Sequence, residues 1–157
     1  MIFLCLLAVT ILLQISFIFS NSLKDAVNSD NQSDVFVRFA VEKLLGLDYE
    51  SQNDDFLGTV SFVIRKIAHF CDYGLLGILV FLFIYIYIYS SSVPIAFFIT
   101  VQFCFVIGIV DEFLQRFSDG RSASFRDTLI DASGAFTACV GMMLIIKIIQ
   151  RFSKRKK

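Results

Sequence analysis

The sequence predicts an all-α integral membrane protein, a bundle of four transmembrane helices with a polar extracytoplasmic loop between the first two. Three observations predict it. Of the 157 residues, 57% are hydrophobic and the mean hydropathy is +0.75. A soluble domain of this size keeps too much of its surface wet to hide so much apolar area. Charged residues make up 18%, below the roughly 25% of soluble domains. Four apolar runs approach the about 20 residues needed to cross about 30 Å of hydrocarbon. These observations exclude a cytosolic globule, a disordered chain and a collagen-like repeat.

The first span covers residues 2–19 and is interrupted only by weakly polar side chains such as Gln14 and Ser16. It lacks a basic start and an A-x-A cleavage site, so it reads as an uncleaved anchor rather than a signal peptide. Residues 20–65 form the polar loop. Within it, S-D-V-F-V-R-F-A-V-E-K-L-L-G predicts a short amphipathic helix. Ser33 or Asp34 would cap it, Val37, Val41, Leu44 and Leu45 would share its apolar face, and Gly46 would end it. Such a helix rests on the membrane surface or packs over the bundle.

The second span, 67–89, ends in F-I-Y-I-Y-I-Y. That alternation suits a strand, but an isolated strand in lipid leaves its backbone groups unpaired, so the run reads as helix. Its tyrosines then form an interfacial belt. The third span is 95–113 and the fourth 128–149, followed by a basic tail over 150–157. The whole chain, 1–157, reads as a single membrane domain.

Net charge is zero, with 14 basic and 14 acidic residues, which gives no reason to expect nucleic acid as a partner. Membrane lipids are the expected surroundings, and four spans are compatible with an oligomer. From Arg151 onward the chain has cations and no acid. That density predicts a cytoplasmic C-terminal tail in a multi-pass protein of the cell membrane. Cys5, Cys71, Cys104 and Cys139 fall one to each apolar run, where cysteine acts as a small hydrophobe.

Ionisable groups in or beside spans are expensive and point to function. Lys66, His69 and Tyr73 fall within a narrow arc of one helical face. Asp111, Glu112 and Gln115 share another face at the end of span three. Arg121 sits in the loop S-D-G-R-S-A-S-F-R, and Asp127 and Asp131 open span four on the face continued by Gly134, Ala138 and Gly141. The start of span two, the end of span three and the start of span four lie on one side of the membrane. The expectation is therefore one outward-facing polar pocket. Simpler roles also fit single residues: Lys66 can snorkel, S-F-R-D can be a capping box over Ser124 to Asp127, and the small residues can let helices approach.

K-x-x-H-F-x-x-Y-x-x-L-G at Lys66 to Gly77, D-E-x-x-Q-x-F-x-x-G-R at Asp111 to Arg121, and the following Asp127 resemble the VanZ-like family of bacterial membrane proteins. The motifs span about the C-terminal 90 residues. The family commonly has Asn where this chain has Asp131. The resemblance implies an envelope protein connected with low-level resistance to the glycopeptide teicoplanin. Two expectations follow from the charged residues. In one, Lys66 and Arg121 hold an anionic envelope ligand while Asp111 and Glu112 orient them. Tyr73 and Gln115 then add neutral hydrogen bonds. In the other, His69 is a general base and Asp111 or Glu112 its partner in an enzyme acting on a lipid-linked or peptidoglycan-like substrate. The H-E-x-x-H spacing is absent, so neither a metal nor any other cofactor is expected.

Overall fold

A computed structural model describes residues 2–24, 26–88, 92–118 and 124–155. Four helices among them are long and apolar enough to cross a membrane, and they contain no strand. We number the helices α1 (Ile2–Ser22), α2 (Ala26–Phe39), α3 (Asp54–Phe83), α4 (Val93–Gln115) and α5 (Phe125–Arg155). All but α2 are the candidate spans.

The predicted polar loop over 20–65 is mostly helical. The amphipathic segment starts at Ala26, well before the expected caps, and continues through a wide π-helical turn, Ala40–Leu44, to Gly46. Gly46 ends it with φ at +68°, a left-handed conformation that suits glycine. Ser33 and Asp34 do not cap this helix. The Ser33 hydroxyl meets that of Ser61 on α3 at 3.0 Å, and Asp34 accepts from the Tyr49 hydroxyl at 2.5 Å. That bond raises the Tyr49 pKa above its ordinary value. Val37 and Val41 are buried as expected, but Leu44 and Leu45 are 72% and 53% exposed. The wide turn rotates them off the face that packs on α3.

Helix α3 begins at Asp54 rather than Ile67. Asn53 caps it, accepting from the Phe56 amide at 2.8 Å, and Asp54 and Asp55 place negative charge in the first turn, where the helix dipole favours it. The candidate span Asp54–Tyr87 has 34 residues. At 1.5 Å per residue it is about 51 Å long, well beyond the hydrocarbon core, so its first turns project past the lipid. The tyrosine-rich run is helical, ending in a π-helical turn over Ile84–Ile88. Tyr89 lies outside the described residues. Pro94 stands in the first turn of α4, where its missing N–H costs nothing. In α5 the predicted tail continues as helix to Arg155, because Lys, Arg and Gln favour helix and no Gly or Pro interrupts.

The most extensive packing is between α3 and α5, with α4 against both. Tyr73, Leu76, Val80 and Phe81 of α3 meet Ala96 and Cys104 of α4 and Ala135 and Cys139 of α5 in the core. Gly134 sets the closest approach: a Cβ there would lie 2.2 Å from the Phe70 carbonyl oxygen. Gly141, expected on the same close face, has open space around it. Large side chains such as Phe98, Val106, Leu144 and Ile148 point outward, which suits a surface against lipid.

Candidate functional site

Because α3, α4 and α5 pack closely, their polar turns meet at one end of the bundle. From α3 come Lys66, His69 and Tyr73, from α4 Asp111, Glu112 and Gln115, and from α5 Asp127 and Asp131. Arg121 lies outside the described residues.

Lys66 Nζ forms an ion pair with Asp127 Oδ2 at 2.5 Å. Lys66 therefore stands in a pair with an acid of α5, a partner the sequence reading had not given it. Asp127 is consequently not closing a capping box. Ser124 does cap α5, its hydroxyl accepting from the Arg126 amide at 3.3 Å. The reciprocal half comes from another helix: the Ser124 amide donates to Glu112 Oε2 at 2.6 Å. A carboxylate of α4 thus does what Asp127 would do in a local box, and it ties the end of α4 to the start of α5.

Deeper in, His69 Nδ1 lies 3.5 Å from Asp131 Oδ1, beyond ordinary hydrogen-bond range. Asp111 Oδ2 accepts from Gln115 Nε2 at 3.4 Å. Asp111 and Asp131 are 0% and 1% exposed. Asp111 Oδ1, Glu112 Oε1, both oxygens of Asp131 and the Tyr73 hydroxyl have no hydrogen-bond partner among the described residues. Buried carboxylate oxygens without hydrogen-bond partners are costly, and Asp131 has both of its own in that state among the described residues, so this end of the bundle carries an incompletely met demand for positive charge or protons. His69, Asp111 and Asp131 each offer one ligand-type atom, and these lie within 4.8 Å of one another. Sequence spacing did not suggest this set, because its members come from three helices.

A second feature adjoins the cluster. A groove of about 460 Å³ runs between α1, α2 and α3, with Phe17, Ile18, Phe36, Ile64 and Ala68 as apolar walls. Asn21, Lys24, Ser33, Arg65, His69 and Asp72 supply its polar lining. Lys24 Nζ donates to Asn21 Oδ1 at 2.7 Å, and Arg65 Nη1 to Ser61 Oγ at 3.3 Å. The sequence reading overlooked Lys24 and Arg65. A signal was present: Arg65, His69 and Asp72 are spaced i, i+4, i+7 and share a helical face. His69 belongs to this face and to the arc of Lys66 and Tyr73, so it walls the groove and contacts the acidic cluster behind it. The Ser118 hydroxyl donates to the Ser22 carbonyl at 3.0 Å, joining α1 to the turn after α4.

A sequence model of the VanZ/LLP1 family matches residues 1–149. No curated protein matches, and no solved structure does.

Proposed function

The chain belongs to the VanZ/LLP1 family, and from that premise we propose that it binds an anionic amphiphile of the cell envelope and thereby lowers susceptibility to glycopeptides of the teicoplanin type. The observation that carries this reading is the groove, whose apolar walls and lining cations Lys24 and Arg65 lead to His69. Apolar walls suit acyl chains, and cations suit a phosphate or carboxylate head, Arg bidentately. Lys24 and Arg65 are the cations that line the groove on this side of α3, so the reading gives the anionic head to them. The site faces outward and the basic tail lies in the cytoplasm. The acid-free run of cations from Arg151 supports that orientation.

The test is binding by the purified chain in neutral detergent, in the presence of EDTA. Phosphatidylglycerol is expected to raise its unfolding temperature more than phosphatidylcholine does. Lys24→Ala with Arg65→Ala should remove the difference. Equal effects of the two lipids on the wild type would contradict the reading.

One observation favours a second reading, an enzyme acting on a lipid-linked or peptidoglycan-like substrate. His69 is the chain's one histidine and stands 3.5 Å from buried Asp131, a pair that would orient the imidazole for proton transfer once it closes to hydrogen-bond distance. Asp131 then takes the partner role that the sequence reading gave to Asp111 or Glu112. A covalent difference in envelope lipids or muropeptides between cells with and without the protein would favour the enzyme. Unchanged species with altered antibiotic binding would favour the binding protein.

A further inference from the structure

We propose that His69, Asp111 and Asp131 form the binding site of a divalent transition-metal ion of the Zn²⁺ class, held between α3, α4 and α5. This names a cofactor for the site proposed above and rests on that reading only in treating the cluster as functional.

Geometry comes first. The three ligand-type atoms lie within 4.8 Å of one another. His69 Nδ1 and Asp131 Oδ1 are 3.5 Å apart, too long for a good hydrogen bond. Two donors on one tetrahedral ion, each about 2.0–2.1 Å from it, stand about 3.3–3.4 Å apart. The His69–Asp131 pair already has that spacing, and Asp111 completes the set by a small side-chain closure.

Charge is the second argument. Asp111 and Asp131 are fully buried, and Asp111 Oδ1 and both oxygens of Asp131 lack hydrogen-bond partners among the described residues. The nearby cation Lys66 is engaged by Asp127. A buried carboxylate is tolerated when it is paired or coordinates a metal. A divalent ion neutralises both carboxylates at once and occupies the oxygens that the protein leaves open.

Donor chemistry narrows the ion. One imidazole nitrogen with two carboxylates is a borderline set that suits Zn²⁺ better than Mg²⁺ or Ca²⁺, which favour oxygen alone. Three protein donors also leave one tetrahedral position open, as in catalytic rather than structural zinc sites. His69 lines the groove, so an ion bound to it stands next to the space assigned to the amphiphile.

The experiment is equilibrium binding of Zn²⁺ to the full-length chain, purified in neutral detergent and stripped with EDTA. One ion per chain is expected, together with a Zn²⁺-dependent rise in unfolding temperature. His69→Ala, Asp111→Asn and Asp131→Asn should each weaken binding by roughly 100-fold, while Asp55→Asn, in the exposed first turn of α3, binds as wild type. Co²⁺ in place of Zn²⁺ should give the intense visible absorption of a four-coordinate site. That readout reports coordination in the wild type even where a variant folds poorly. The proposal is overturned if the wild type binds no Zn²⁺ above the level of empty micelles, or if Asp131→Asn binds as tightly as wild type. Lipid selectivity in EDTA tests the groove separately, so either idea can fail without the other.

Discussion

Lys66 and Asp127 sit 2.5 Å apart with about a fifth of each side chain exposed, and their pairing changes the roles of both. An ion pair at that depth lies between the near-neutral surface case and the costly buried one. A double-mutant cycle with Lys66→Met and Asp127→Asn is expected to give a coupling of about 1–2 kcal/mol in detergent unfolding. Coupling near zero would mean that the pair does not hold α3 to α5. Glu112 contributes at the same scale through its bond to the Ser124 amide. Glu112→Gln keeps an acceptor there and should cost little, whereas Glu112→Ala should cost about 1–2 kcal/mol, the usual loss for a helix cap. Equal stability of the two variants would remove that role. The sequence singled out these residues but not their partners. Lys66, Asp127, His69 and Asp131 all drew attention as charges beside lipid. Which acid met which cation depended on helix rotations that a single helical wheel does not contain.

The elements themselves were more legible than their ends. Apolar runs predicted all four spans, since lipid demands length and continuous hydrophobicity and both are written in composition. The start of α3 at Asp54 was hidden, because beyond the hydrocarbon nothing requires an apolar run and only the Asn53 cap marks the boundary. The amphipathic face failed at Leu44 and Leu45, where a π-helical turn breaks the 3.6-residue period on which the reading relied. Close packing of α3 on α5 was better foreseen, through Gly134. Its pro-Cβ position faces the Phe70 carbonyl at 2.2 Å, and backbone cannot move aside as a side-chain tip can. Gly134→Ala is expected to destabilise the bundle by about 1–3 kcal/mol. Gly141→Ala, with open space around it, should stay within about 0.5 kcal/mol of wild type. Thermal unfolding of both variants in the same detergent makes the comparison.

For the whole molecule, zero net charge hides an uneven distribution. An acid-free cationic end lies at the C-terminus of α5, and every acid falls between Asp25 and Asp131. The proposed orientation, tail inside, would turn the end of the bundle carrying His69 and the groove outward. In a chain with Cys5 and Cys71 changed to Ser, Asp55→Cys should react with an impermeant maleimide in intact cells. Ser153→Cys should react only after permeabilisation. The reverse pattern would place the site on the cytoplasmic side. The central claim is that the charges gathered around His69 carry the function. Teicoplanin susceptibility of cells making equal membrane levels of wild type, His69→Ala or Asp131→Asn tests it most directly. The account predicts that both variants fall to the resistance of cells lacking the protein. Variants that protect as well as a protective wild type would contradict it.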